Sequence, residues 1–122
     1  MDIALEDPDA KHFVKRYAPG ELVLNTGAHT DSIIVYQDKV LSWEPRDITE
    51  LTVGEISNLV ALKPGMIILG TGQKQSFPES ELLAAIYEAR IGIEIMSTRA
   101  ACQTYNLLAD EGRDVLAALI IN

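Results

Sequence analysis

The chain lacks the means for several functions. Its 122 residues hold one cysteine, Cys102, so no internal disulfide forms and a reducing compartment is expected. There is no basic run. The 10 Lys and Arg stand against 18 Asp and Glu, for a formal net charge of -8. Phosphate neutralisation needs clustered cations, so nucleic acid is excluded as a partner, and an anionic membrane surface with it. No apolar run approaches the roughly 20 residues of a spanning helix, which argues against membrane insertion. The longest runs, residues 115–121 and 66–69, are far shorter. The start is acidic, not basic and then apolar, so no signal peptide is read there and a soluble, cytoplasmic protein is expected. Two histidines without a spacing pattern make no metal site, and no serine sits in a nucleophile elbow. No catalytic residue and no cofactor is expected.

What is present divides into two patterns. Residues 1–10 carry four acids around Pro8 and read as an acidic leader, and residues 11–122 read as a single α/β domain. Residues 12–17 and 21–25 are short β-type runs around a Pro19-Gly20 turn, and Asn25-Thr26-Gly27 is a further turn. Residues 32–36 and 39–43 flank Gln37-Asp38 and read as a hairpin that Pro45 ends. Tyr36 and Trp43 lie on it, either as an apolar patch for a second subunit or as cover for the domain's own core.

From Thr52 the period changes. Thr52-Val53-Gly54-Glu55 reads as a capping box, and Ile56, Leu59 and Val60 recur at helical spacing until Lys63-Pro64-Gly65. Residues 66–69 are apolar without alternation, as a strand covered on both faces requires. Residues 79–91 read as a helix with Leu82, Leu83, Ile86 and Ala89 inward. Residues 93–96 form a brief strand. A helix capped by Ser97 or Thr98 then runs to about Asp110, with Ala101, Tyr105 and Leu108 on one stripe, and residues 115–121 form a last buried strand. Strands joined by helical crossovers are parallel, and the crossovers right-handed. The expected fold is a three-layer α/β domain. Its mixed, partly parallel central sheet is flanked by helices and joined by an N-terminal antiparallel β-hairpin.

In such sheets ligands bind beyond the carboxyl ends of strands. The candidate ligand-binding residues are therefore Gly70, Thr71 and Gly72, at one strand exit, and Ser97, Thr98 and Arg99, at the start of the last helix. Free helical N–H groups, two hydroxyls and a guanidinium suit a carboxylate or phosphate. The Gly-Thr-Gly triplet is neither a full dinucleotide fingerprint nor a phosphate loop, and the bland alternative is a tight exit with capping hydroxyls. Three secondary candidates follow. Glu94 sits in a strand that otherwise looks buried, as a general acid or base or as a solvated edge residue. Tyr105 and Asn106 lie mid-helix, lining a cleft or serving structure. Cys102 reads as a small buried thiol.

Ile68-Leu69-Gly70-Thr71-Gly72, Gly92-Ile93-Glu94-Ile95-Met96, Thr98, Ala101, Thr104-Tyr105-Asn106, Leu108, Glu111-Gly112-Arg113 and Ala117-Ala118-Leu119 together resemble one family. It is the family of the mitochondrial complex I assembly factor three and the adipogenesis-associated domain protein, with uncharacterised bacterial and archaeal members. The resemblance implies a compact α/β domain with a protruding hairpin and no catalytic residues to carry over. It implies protein partners among respiratory-complex or membrane-protein biogenesis components. Three readings follow in order: a non-catalytic binding or assembly module, an anion-binding protein or enzyme using the loops above, and a homodimer formed through the hairpin.

Overall fold

A computed structural model describes residues 11–122, so the leader expected over residues 1–10 lies outside the described residues. Strands β1 (Val14–Ala18), β2 (Glu21–Leu24) and β3 (Gly27–His29) form an antiparallel sheet in that order. Strands β4 (Ile33–Tyr36), β5 (Lys39–Ser42), β6 (Met66–Gly70), β7 (Gly92–Met96) and β8 (Val115–Leu119) form a second sheet, ordered β5-β4-β8-β6-β7. There β6 lies parallel to both β7 and β8, whereas β4 is antiparallel to β8 and β5. Helices α1 (Val53–Ala61), α2 (Ser80–Glu88) and α3 (Thr98–Asp110) complete the domain.

The layers follow from strict alternation in the central strands. Ile34 of β4, Ile67 and Leu69 of β6, and Leu116 and Ala118 of β8 point to one face, where Ile56 and Leu59 of α1 and Leu83 and Ile86 of α2 meet them. Ile33, Val35, Ile68, Val115, Ala117 and Leu119 point to the other face. There Ala101, Cys102 and Tyr105 of α3 join Leu22 and Leu24 of the small sheet. Every side chain of β8 is buried, as continuous apolar strands covered twice must be. Tyr36 and Trp43 are each only 7% exposed and cover the domain's own core, and their hairpin is the antiparallel flank of the central sheet.

Local chemistry explains the boundaries. The Thr52 hydroxyl accepts from Glu55 N–H at 3.2 Å, and the Glu55 carboxylate accepts from Thr52 N–H at 3.1 Å, completing the capping box. Gln37 has φ 57, which the two-residue hairpin turn demands. A register shift between Val14 and Arg16 marks a bulge in β1. The small sheet is larger than the sequence pattern implied, because β3 pairs with β2 across residues read only as a turn.

One further expectation needs correction. The helix expected over residues 79–91 stops at Glu88, and Ala89, expected inward, is exposed. Arg90 adopts φ 60, its N–H donates to Tyr87 O at 3.0 Å, and Ile91 N–H donates to Ile86 O at 3.2 Å. This is a left-handed helix stop that usually employs glycine. It returns Ile91 to the core. A side chain in that conformation costs about 1–2 kcal/mol, and glycine gives back roughly 0.5–1 kcal/mol in unfolded-state entropy. Arg90→Gly is therefore expected to stabilise the fold by about 0.5–1 kcal/mol, read as a raised denaturant midpoint at unchanged slope. A lowered midpoint would contradict this. Of the two readings of Glu94, the structure favours the solvated edge residue: β7 is an edge strand, Ile93 and Ile95 pack toward α1 and α2, and alternation sends Glu94 to solvent.

Candidate functional site

The exits of β6 and β7 are neighbours, with Gly70 paired to Met96. The chain leaves β6 toward the layer of α2 and leaves β7 toward that of α3. Adjacent parallel strands whose connections part to opposite faces make the crevice where α/β domains hold ligands. Here the crevice is filled by the chain itself. The Thr98 hydroxyl is fully buried, donates to Ile120 O at 2.6 Å and accepts from Gly72 N–H at 2.8 Å. Thr98 N–H donates to Gly72 O at 2.8 Å. Thr71 N–H donates to Met96 O at 2.9 Å, and its hydroxyl donates to Lys74 O at 2.6 Å while accepting from Ser76 N–H at 3.1 Å. Gly70 has no room for a side chain, since a Cβ would stand 2.9 Å from the Thr98 hydroxyl and 3.1 Å from Thr98 Cα. Gly72 has φ +98, and a Cβ there would meet the Asn122 amide at 2.8 Å.

The structure thus brings Gly70, Thr71, Gly72 and Thr98 together. Ser97 caps α3, its hydroxyl accepting from Ala100 N–H at 3.3 Å. Arg99 is placed elsewhere: its guanidinium lies 5.2 Å from the centroid of the Tyr17 ring in β1, and Nη1 donates to Tyr17 O at 3.4 Å. The Asn106 side chain accepts from Val14 N–H and donates to Val14 O, both at 2.9 Å, as a neighbouring strand would. The Tyr105 hydroxyl donates to His12 O at 3.1 Å, and burial pushes its ionisation up to about 12. Both residues fasten the small sheet to α3.

The family described as protein of unknown function (DUF498/DUF598) matches residues 14–120. The chain belongs to the DUF498/DUF598 family. Its matched span runs from β1 to the residue after β8, and so includes the crevice. A Francisella tularensis protein named 13 kDa major membrane protein is 32% identical across 98% of this chain and 99% of its own length. A zebrafish NADH dehydrogenase (ubiquinone) 1 alpha subcomplex assembly factor 3 is 26% identical across 98% of this chain and 70% of its own. The rat and human proteins of that name are matched over only 45% of their length. Among solved structures, a Xanthomonas campestris protein is 34% identical, with a TM-score of 0.84 over 99% of this chain and 92% of its own. The three-layer mixed α/β architecture is shared. Among the described residues no helix is long and apolar enough to cross a membrane.

The DUF498/DUF598 domain also carries clefts that sequence reasoning missed. One, of about 540 Å³, lies at the opposite end of the strands, between His12, the Gln37-Asp38 turn, Tyr105 and Arg113. His12 bridges Thr26 Oγ1 at 2.7 Å and Asp38 O at 3.0 Å there. Beside it the Tyr36 hydroxyl donates to Asp114 Oδ1 at 2.7 Å, and burial and that carboxylate push its ionisation up to about 12. An adjoining cleft of about 510 Å³ is flanked by Phe13 and Leu107, which are 48% and 61% exposed. Leu107 stands off the inner stripe of α3, and that was the legible signal. The remaining wall residues are far apart in the sequence, and only the pairing of β1 with α3 gathers them.

Cys102 is 4% exposed, and burial is the main reason its thiol is pushed up to about 12, with Arg99 opposing weakly. It is expected to resist a thiol reagent in the native state, as a buried thiol with little thiolate does, and to become reactive when the chain unfolds. Modification at the rate of a free thiol, measured by mass spectrometry, would contradict its placement.

Proposed function

We propose that this DUF498/DUF598 domain is a non-catalytic protein-binding module that assists the assembly of a respiratory NADH dehydrogenase, working on the cytoplasmic side of the membrane. The observation that carries the reading is the similarity along nearly the whole chain to a protein named as an assembly factor of that complex. The interlocked crevice supports it, because the polar groups best placed to receive a small anion are bonded to one another. The anion-pocket reading, built on Gly70, Thr71, Gly72, Ser97, Thr98 and Arg99, has less support for the same reason, and Arg99 stacks on Tyr17 instead. The similarity to a protein named for the membrane fits a module that meets membrane-complex subunits at their water-facing surfaces.

Deletion of the gene in its native organism tests this. The account expects less assembled NADH dehydrogenase on a native gel with subunit transcripts unchanged, restored by the wild-type gene. Normal assembly in the deletion strain would overturn it.

A further inference from the structure

We propose that the groove between β1 and α3 is a docking surface for a short acidic segment of a protein partner. The inference rests on the assembly reading and adds the chemistry of the segment recognised. The groove, of about 440 Å³, is lined by Lys15 and Arg16 on one side and by Arg99, Gln103 and Asn106 on the other. Three cations therefore face one opening, in a chain whose formal net charge is -8. Among the described residues no ion pair joins any of the three to an acid; the pair recorded there is Arg46 with Asp31. The α3 wall is free of acids too, since its first turn has none and its first acid along the chain is Asp110.

The bulge in β1 creates this charge density. Simple alternation would send Val14 and Arg16 to one face and Lys15 and Tyr17 to the other. Instead, Val14 pairs with Leu24 and Arg16 with Val23, leaving Lys15 as the extra residue. The consecutive cations Lys15 and Arg16 are both exposed, while Val14 and Tyr17 pack toward the core. Bulges re-aim side chains in this way. On the facing wall Arg99 is held in place by the Tyr17 ring, which limits the freedom lost when it meets a carboxylate. Val14 N–H, Val14 O and Tyr17 O of β1 are already bonded by Asn106 and Arg99, so the groove offers side-chain charge more than a strand edge to extend.

A short acidic segment suits this surface better than a nucleic acid. Screening confines interactions to about 8 Å at physiological salt, so a short segment meets the local cations. A long polyanion also crosses the acidic remainder of the surface, without the extended basic stripe that nucleic-acid binders carry.

The test uses the full chain and a fluorescent peptide alternating glutamate and serine, compared with its glutamine counterpart and with a single-stranded oligodeoxynucleotide of equal length. The glutamate peptide is expected to bind, to weaken as salt rises, and to shift the amide resonances of Lys15, Arg16, Tyr17, Arg99 and Gln103. The double variant Lys15→Glu/Arg16→Glu is expected to weaken it about tenfold or more at an unchanged thermal midpoint. Arg99→Gln should weaken it less, and serves as the second variant should the first fail to fold. Absence of peptide binding, equal binding of the glutamine peptide, equal or tighter binding of the oligonucleotide, or indifference to both variants would each overturn the proposal. None of these outcomes bears on the deletion phenotype, so the two readings fail separately.

Discussion

Thr98→Val is expected to lower the unfolding free energy by about 2–6 kcal/mol. Valine keeps the branched shape and removes the hydroxyl, which stands at zero exposure between two main-chain groups. One is Gly72 N–H, from which it accepts; the other is Ile120 O, to which it donates. The surroundings are tight, since a Cβ added at Gly70 would already meet Leu119 Cδ2 and Thr98 Cα at 3.1 Å, which leaves little space for a replacing water. Each orphaned buried group costs about 1–3 kcal/mol, and the two losses occur together. Chemical denaturation of the variant measures the difference. An unchanged midpoint would show that the crevice is held by something other than this hydroxyl, and would reopen the crevice as a place for a ligand.

Ile68→Ala is expected to cost about 2–5 kcal/mol, the range for an isoleucine deleted from a core. Ile68 lies at zero exposure in β6, the strand flanked by β7 and β8 in parallel register. Its side chain fills the layer beneath Ala101, Cys102 and Tyr105 of α3, beside Ala117. Two of those neighbours are alanines that cannot reach into the gap. Hydrogen bonds on both edges of β6 prevent the strand from closing it. The loss therefore belongs toward the upper part of the range. A cost under about 1 kcal/mol would mean that α3 settles onto the sheet and fills the gap.

How much of this was legible in the sequence depends on the range of the interaction concerned. The Thr52/Glu55 capping box, the two-residue hairpin turn and the unbroken apolar runs of β6 and β8 are local patterns, and the structure reproduces them. The adjacency of the Gly70 and Met96 exits was legible as well, because a parallel pair joined by a helix has few alternatives. Glu94 as a solvated edge residue was one of the two readings the sequence left open, and β8 inserting on the far side of β6 decides it by making β7 an edge. Two features were not legible. The bulge at Lys15 depends on the partner strand. The left-handed stop at Arg90 gives no local signal, since arginine is an ordinary helix residue and the apolar Ile91 beyond it extends the helical pattern. The candidate site divides in the same way: the position of the crevice was legible, whereas its internal bonding and the Arg99–Tyr17 stack arise from contacts between distant segments.

The reading of this domain as an assembly module is tested most directly by affinity purification of the tagged full chain from its native organism, followed by mass spectrometry of proteins and retained metabolites. The account predicts recovery of NADH dehydrogenase subunits, in amounts that fall when Lys15 and Arg16 are both reversed in charge, and no stoichiometric metabolite. Recovery of a bound small anion with none of those subunits would contradict it.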